Sequence, residues 1–140
     1  MKMIDSKGKL HDPHVLSILS HSQYLPTAEK LQSLADSYES NPNLHAFSCV
    51  ENGGIVGVIV LERRGTAAEI VSIAVEPACR GRGIGSGLIS YAAGVLKCGE
   101  ICAETDDDAV GFYRRCGFEV VSLGEKYPGI IRYWCALSLS

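Results

Sequence analysis

The chain has 140 residues, enough for one globular domain with a buried core. Hydrophobic residues make up 46% and charged residues 21%, which excludes an intrinsically disordered chain, and the net charge of −3 argues against a general nucleic-acid binder. The six cysteines lack zinc spacing, no long apolar run is present, and "MKMIDSKGKL" lacks the apolar core of a signal peptide. We therefore predict a cytoplasmic protein with free thiols that uses no metal, membrane or nucleic acid.

The first half of the chain predicts a short strand, two helices and three strands. A weak strand over residues 1–6 precedes a helix that Asp12 caps and Pro13 opens. Thr27 can cap a second helix, which ends at "SNPN". The turns between the next three strands are short, so these strands should be antiparallel neighbours. They cover residues 44–51, 55–63 and 67–76.

The second half predicts two more helices and three more strands. A helical pattern over 82–97 leads to a strand at 100–105. "DDDAVGFYRRCGF" predicts a short helix that aspartates cap and Gly117 ends, and "FEVVSLG" and "IIRYWCALSL" close the chain as strands. The order β-α-α-β-β-β-α-β-α-β-β predicts one mixed α/β domain over 1–140, in which an antiparallel meander precedes a parallel, right-handed crossover.

The stretch "VEPACRGRGIGSGLI" combines a strand end, a glycine-rich turn and a helix start. It matches neither G-x-x-x-x-G-K-[ST] nor G-x-G-x-x-G, so both standard nucleotide loops fail. Helix N-termini nevertheless attract anions, glycines admit a ligand close to the backbone, and Arg80 and Arg82 add positive charge. The stretch therefore predicts a pyrophosphate cradle, and the alternative is a flexible loop with solvated arginines.

Two motifs resemble the GNAT family of acetyl-CoA-dependent N-acetyltransferases. Residues 80–85, "RGRGIG", resemble the [RQ]-x-x-G-x-[GA] signature, and residues 109–118, "AVGFYRRCGF", resemble A-x-x-F-Y-x-x-x-G-F. The order of elements fits the family along essentially the whole chain. The resemblance implies a GNAT fold in which the central strand, ending in "IAVEP", bulges and splays from its parallel neighbour, "EICAET".

The resemblance also implies where acetyl-CoA binds. Main-chain groups of the central strand would bind the pantetheine arm, and the glycine-rich turn would bind the pyrophosphate. The implied positions are Ile73, Ala74, Val75, Arg80, Gly81, Arg82, Gly83, Ile84, Gly85, Ser86, Asp106, Phe112 and Tyr113. Asp106 stands where the family often has Asn, and an ionised Asp can only accept hydrogen bonds, so its contact with the coenzyme departs from the pattern.

The resemblance implies catalytic roles for two side chains. Tyr113 matches the family tyrosine and would donate a proton to the departing thiolate; the alternative is a core tyrosine. Glu69 would be the base, acting directly or through water, and strand alternation would put it on one face with Val71 and Ile73. The alternative is a solvent-facing or salt-bridged glutamate. A ping-pong route through Cys79, beside Arg80, is the less favoured mechanism.

The acetyl acceptor is expected to be a primary amine of a small molecule, peptide or protein. By family analogy the acceptor would contact two parts of the chain. One is the connection between the first two helices, and the other is the pair formed by the last two strands. The candidate substrate-binding residues are Tyr24, Tyr127, Arg132 and Tyr133. An aromatic strand in the core or a homodimer contact would explain the same residues. A non-catalytic acetyl-CoA-binding sensor or assembly module, and a generic nucleotide-phosphate domain, are the alternative functions.

Overall fold

In a computed structural model of the chain, which describes residues 1–23 and 26–139, the observed order of elements is the predicted one. The seven strands found in the described residues form a single sheet, in the order β1-β2-β3-β4-β5-β7-β6. The strands are β1 (Lys2–Asp5), β2 (Leu44–Glu51), β3 (Gly54–Arg64), β4 (Ala67–Val75), β5 (Glu100–Asp106), β6 (Glu119–Tyr127) and β7 (Ile130–Ser138). The helices are α1 (Pro13–Leu19), α2 (Ala28–Ser40), α3 (Ile84–Leu96) and α4 (Val110–Arg115).

The pairing of the strands confirms the predicted meander and crossover. Strands β1 to β4 pair antiparallel in succession, and β4 pairs parallel with β5. Strand β7 then lies between β5 and β6, antiparallel to both. The mixed α/β fold and its parallel central pair are therefore confirmed.

Helices cover the sheet on both faces. On one face α3 packs over β2, β3 and β4, with Ile84 and Leu88 buried against Ile59. On the other face α1 and α2 enclose a second apolar cluster around Leu19 and Val60. Alternation along β3 directs neighbouring side chains into these two clusters in turn. The layering explains why residues 58–61 are all buried.

Helix α3 begins two residues later than its pattern predicted. Gly81 and Gly83 have φ of +80° and +81°, in the left-handed region that side chains with a Cβ disfavour. The helical conformation therefore begins only after Gly83, which is the N-cap residue. The predicted caps of α1 and α2 are present, since the side chain of Asp12 accepts from the N–H of His14 and that of Thr27 from the N–H of Lys30. The predicted aspartate cap of α4 was wrong, because its N-cap residue is Ala109, which makes no side-chain cap hydrogen bond.

Among the described residues, no helix is long and apolar enough to span a membrane. Within the same residues, histidine, cysteine and carboxylate side chains nowhere gather in a group that could hold a metal ion.

Candidate active site

The central parallel pair, β4 and β5, is hydrogen bonded over only part of its length. Residues 67–69 of β4 pair with 100–102 of β5, and we call this the paired half. Residues 70–75 and 103–106 continue as strands without a β4–β5 pairing, and we call this the splayed half. Main-chain groups of β4 that face β5 in the splayed half are therefore available to a ligand. The predicted splay is confirmed.

A β-bulge marks the transition between the two halves. The register between β3 and β4 skips Val71, so two residues of β4 oppose one position of β3. Beyond the bulge the side chains of β4 alternate in the opposite phase. Glu69 therefore lies on the same face as Ser72, and Ile73 lies on the other face. The expectation that Glu69, Val71 and Ile73 lie on one face was wrong, because strict alternation holds only in an unbroken strand.

A cavity of about 780 Å³ opens in the splayed half, and we call it the larger cavity. Most of the residues that the sequence assigned to acetyl-CoA line it. They are Ile73, Ala74, Val75, Arg80, Gly81, Gly83, Ile84, Gly85, Ser86, Phe112 and Tyr113. The cavity thus joins the end of β4, the glycine-rich turn, the first turn of α3 and one side of α4.

The glycine-rich turn gives this cavity an open wall of main-chain groups. A Cβ at Gly81 or Gly83 would meet no atom within 4 Å. The N-cap Gly83 provides no side-chain cap, and the first N–H groups of a helix have no intrahelical acceptor. The turn therefore presents amide donors and the positive end of α3 to the larger cavity, as pyrophosphate binding requires.

Gly85 has a packing role that the sequence did not predict. A Cβ at Gly85 would lie 3.0 Å from two ring atoms of Phe112, tighter than ordinary contacts. Helix α3 can approach α4 this closely only because position 85 has no side chain. We had expected the glycines as a group to admit a ligand, but Gly85 is needed for the contact between the two helices.

The two arginines of the stretch have different positions. Arg80 lines the larger cavity, and its Nε donates to the carbonyl of Val75 at 3.4 Å. Arg82 is not among the lining residues and is ion-paired with Glu51. Arg115 of α4 does line the cavity. It was missed because, in the sequence, a basic residue at a helix C-terminus already has an explanation in the helix dipole.

Asp106 is the last residue of β5 and lines a second cavity instead of the larger one. Its Oδ1 accepts from the N–H groups of Asp108 and Ala109, each at 3.1 Å. The carboxylate therefore holds the turn that leads into α4, but it does not cap the helix itself, whose N-cap residue is Ala109.

The second, smaller cavity has a volume of about 420 Å³ and lies next to the larger one. Its walls include Ser72 of β4, Glu104 of β5 and Arg132 of β7. Both cavities share some lining residues, so they form one continuous site. The shared residues are His21, Ile73, Asp108, Ala109 and Tyr113.

Tyr113 lies at the junction of the two cavities and is 5% exposed. Its ring makes edge contacts with Phe112 and Phe118, each at a centroid distance of 5.2 Å. Burial raises the pKa of its hydroxyl well above the ordinary value, and the thiols of Cys135 and Cys116 contribute in the same direction. Tyr113 is therefore a neutral proton donor at physiological pH.

The predicted acceptor-binding residues are dispersed. Arg132 lines the smaller cavity, where its Nε donates to Glu104 at 3.0 Å. Tyr133 donates to Asp107 at 2.6 Å, and it lies outside both sets of lining residues. Tyr127 is 65% exposed near the β6–β7 turn and does not line either cavity. Tyr24 lies outside the described residues.

Glu69 is in the paired half and lines neither cavity. Its carboxylate forms an ion pair with Arg64 at 2.9 Å, and Arg64 also contacts Glu62 at 2.7 Å. The carboxylate side chain is 19% exposed. This geometry corresponds to the salt-bridged alternative that the sequence left open.

A polar network lies beneath the smaller cavity. The Oγ of Ser72 is 2.8 Å from the hydroxyl of Tyr38, and Gln23 Nε2 donates to the same Oγ at 3.4 Å. Burial raises the pKa of Tyr38, against a smaller lowering by Ser72. A signal for this network was present in the sequence, because Ser72 interrupts an otherwise apolar strand end.

All cysteines are free thiols. Cys79 and Cys116 line the larger cavity, and both are partly exposed. Burial raises the pKa of Cys116. None of the cysteines lines the smaller cavity. This arrangement gives no support to an acetyl relay through Cys79, since the relay would need the thiol near both substrates.

Comparison with known proteins identifies the family. The family model described as an acetyltransferase (GNAT) domain matches residues 42–120. The N-alpha-acetyltransferase RimI of Mycobacterium tuberculosis is 33% identical over 95 residues, which cover 63% of this chain and 60% of RimI. The chain thus matches less than two thirds of the length of that relative.

Solved structures have the same fold. The ribosomal-protein-S18-alanine N-acetyltransferase of Escherichia coli superposes with a TM-score of 0.78 and 18% identity, covering 99% of this chain and 95% of that one. A protein of Bacillus anthracis, assigned as a streptothricin acetyltransferase and solved with acetyl coenzyme A, gives a TM-score of 0.66 and 26% identity. That match covers 75% of this chain and 68% of the other. On the sequence motifs, the splayed strands and the matching family model, the chain belongs to the GNAT acetyltransferase family.

Proposed function

We propose that this protein transfers the acetyl group of acetyl-CoA directly to a primary amine. The observation that carries the proposal is the position of Tyr113, a buried neutral phenol where the larger and smaller cavities meet. A proton donor at such a junction can reach a bond that is exchanged between two substrates. The alternative of a sensor or assembly module needs a coenzyme cavity but has no use for a second cavity beside it.

The larger cavity suits coenzyme A. First-turn amides of α3, with Arg80 and Arg115, offer donors and positive charge to a pyrophosphate. The β4 backbone beyond the paired half lacks a β5 partner, and an extended amide chain can pair with such an edge. Acetyl-CoA supplies an activated thioester when bound. The described residues thus provide for both the phosphate and the amide parts of the molecule.

Tyr113 would protonate the sulfur as the thiolate departs. Its raised pKa keeps it protonated at neutral pH, so the proton is in place when the thiolate departs. A general acid of this kind contributes about 10²–10⁴-fold to a rate. The main-chain N–H of Val75, or that of a neighbour on the same strand, would stabilise the developing oxyanion.

The smaller cavity suits an amine acceptor. Asp106 and Asp108 give it negative charge, and the charges of Arg132 and Glu104 offset each other in an ion pair. Arg132 is therefore engaged, which weakens the alternative of a carboxylate-bearing acceptor. The similar proteins named above act, by their names, on an alanine of a ribosomal protein and on streptothricin, so both protein and small-molecule amines are proposed acceptors.

An amine panel tests the function. Thiol release from acetyl-CoA is measured over polyamines, aminoglycosides, amino acid amides, N-terminal peptides and lysine-containing proteins, with calorimetry for coenzyme A, NAD and ATP in parallel. Tight binding of coenzyme A with turnover of at least one amine class supports the proposal. Binding without turnover on any amine favours the sensor, and preference for NAD or ATP favours the generic nucleotide domain.

A cytoplasmic location and a homodimer stay predictions of the sequence.

A further inference from the structure

His21 was not among the candidate site residues of the sequence, although it lies in the connection between the first two helices that the resemblance assigns to the acceptor. It lies in the short turn Ser20–Ser22 that follows α1, and this turn packs against β4. His21 lines both the larger and the smaller cavity, as Tyr113 does. The exposed His21 and the buried Tyr113 therefore line the same junction from different elements, the turn after α1 and helix α4.

Transfer to an amine needs a proton acceptor at this junction. An alkyl ammonium has a pKa of about 10.4, so at neutral pH the acceptor must lose a proton before it can attack. Imidazole is the side chain that ordinarily changes charge between about pH 5 and 8, which suits a base that works and is regenerated near neutrality.

The other titratable groups around the junction are less suited to this role. Glu104 is bound by Arg132 and Lys126, and the hydrogen bond from Arg132 lowers its pKa. Asp106 accepts two main-chain N–H groups of the turn between β5 and α4. Asp108 also lines both cavities, but a carboxylate is a weaker base toward an ammonium ion than an imidazole is.

Charged side chains from several elements line the two cavities together with His21. Glu104 and Asp106 of β5 and Asp108 of the following turn line the smaller cavity with it, and Arg132 of β7 is the opposing cation. Arg80 and Arg115 line the larger cavity with His21. Strand β4 adds the uncharged Ser72.

We propose that His21 is the general base that removes a proton from the acceptor ammonium, a role that rests on the proposed acetyl transfer. The freed amine attacks the thioester carbonyl, so a C–N bond forms and the C–S bond breaks. Tyr113 gives its proton to sulfur, and the second nitrogen proton returns through solvent to the phenolate. His21 releases the first proton to solvent, which balances the reaction.

The test compares His21→Gln and His21→Ala with the control His14→Gln. His14 is exposed on α1 and lines neither cavity. With an amine that the wild type acetylates, kcat of His21→Gln should fall by about 100-fold or more at pH 7, while acetyl-CoA affinity stays within about threefold. In the wild type, log kcat should rise with pH and then level as the base deprotonates, and the variant should lack that plateau.

Chemical rescue separates catalysis from positioning. Added imidazole should raise the kcat of His21→Ala at least about tenfold and should not change the kcat of His14→Gln. A His21→Gln enzyme with unchanged kcat, or one that is slow but keeps the wild-type plateau, would overturn the proposal. These results leave the acetyl transfer intact, whereas a wild type that acetylates no amine refutes the transfer and with it the need for a base.

Discussion

The paired and splayed halves of β4 and β5 differ in almost every physical respect although they belong to the same two strands. In the paired half the main chains are hydrogen bonded to each other, Ala68 and Ile101 are fully buried, and Glu69 is ion-paired with Arg64. In the splayed half that pairing is absent and two connected cavities occupy the space between the strands and the helices.

The difference shows where a sheet can hold a ligand. Main-chain donors and acceptors that satisfy each other cannot bind a substrate, so the site lies where the ladder ends. The bulge at Val71 ends strict alternation at that place and redirects the side chains. We therefore expect substitutions around the splayed half to alter kinetics and binding, and substitutions in the paired half to alter stability alone.

Tyr113→Phe should have the largest effect. The change removes the hydroxyl and keeps the ring that packs against Phe112 and Phe118, so kcat should fall by about 100-fold while acetyl-CoA binding stays within about twofold. Tyr91→Phe is the control, since Tyr91 is on α3 and lines neither cavity. Steady-state kinetics and calorimetry measure both quantities. A Tyr113→Phe enzyme as fast as the wild type would exclude this residue as the acid.

Gly83→Ala should weaken coenzyme A binding by about tenfold. The left-handed conformation at φ +81° costs a residue with a Cβ roughly 1–2 kcal/mol, so the turn should shift or open. Gly94→Ala is a matched control on the same helix, where a Cβ meets nothing within 4 Å. It should leave affinity unchanged and raise the free energy of unfolding by up to about 1 kcal/mol. Calorimetry and urea denaturation report the two effects, and equal affinities for both variants would refute the role of the turn.

Glu69→Gln tests the paired half, and there we expect kcat within about twofold of the wild type. Loss of the ion pair with Arg64 should reduce the free energy of unfolding by less than about 1 kcal/mol, because Arg64 is largely exposed. The Arg64→Gln change should have a similar cost, and the double variant should cost less than the sum of the single ones. Loss of the pH plateau of kcat in Glu69→Gln would restore the sequence-based hypothesis that Glu69 is the base.

The smallest effect on activity is expected at Cys102, where the paired half is tested by thiol reactivity and alkaline stability. Burial, with Glu69 and Glu100 contributing, raises its pKa from 9.0 to about 11. The folded thiol stays neutral where the unfolded one ionises, so its contribution to stability is present below pH 9 and is lost as pH rises toward 11. Alkylation at pH 8.5 should be about 100-fold slower in the native than in the unfolded protein. Equal rates, mapped by mass spectrometry, would contradict the buried setting.

Much of the fold was predictable because its signals are local. Caps at Asp12 and Thr27, alternating strands and short turns each depend on a few neighbouring residues, and the elements appear in the predicted order. The motif at 80–85 is also local, and it predicted the pyrophosphate cradle. The start of α3 was misjudged by two residues because helical periodicity does not report the sign of φ at Gly81 and Gly83.

The sequence by itself determined the order of elements, the family resemblance, and the two segments that line the larger cavity. Only the tertiary structure decided the partners of individual side chains: Arg64 for Glu69, Glu104 for Arg132, and Phe112 against Gly85. It also brought His21 and Tyr113 to one junction. Contacts between residues far apart in the chain depend on strand register and helix packing, and a single shift such as the bulge at Val71 reassigns the faces that local periodicity predicts.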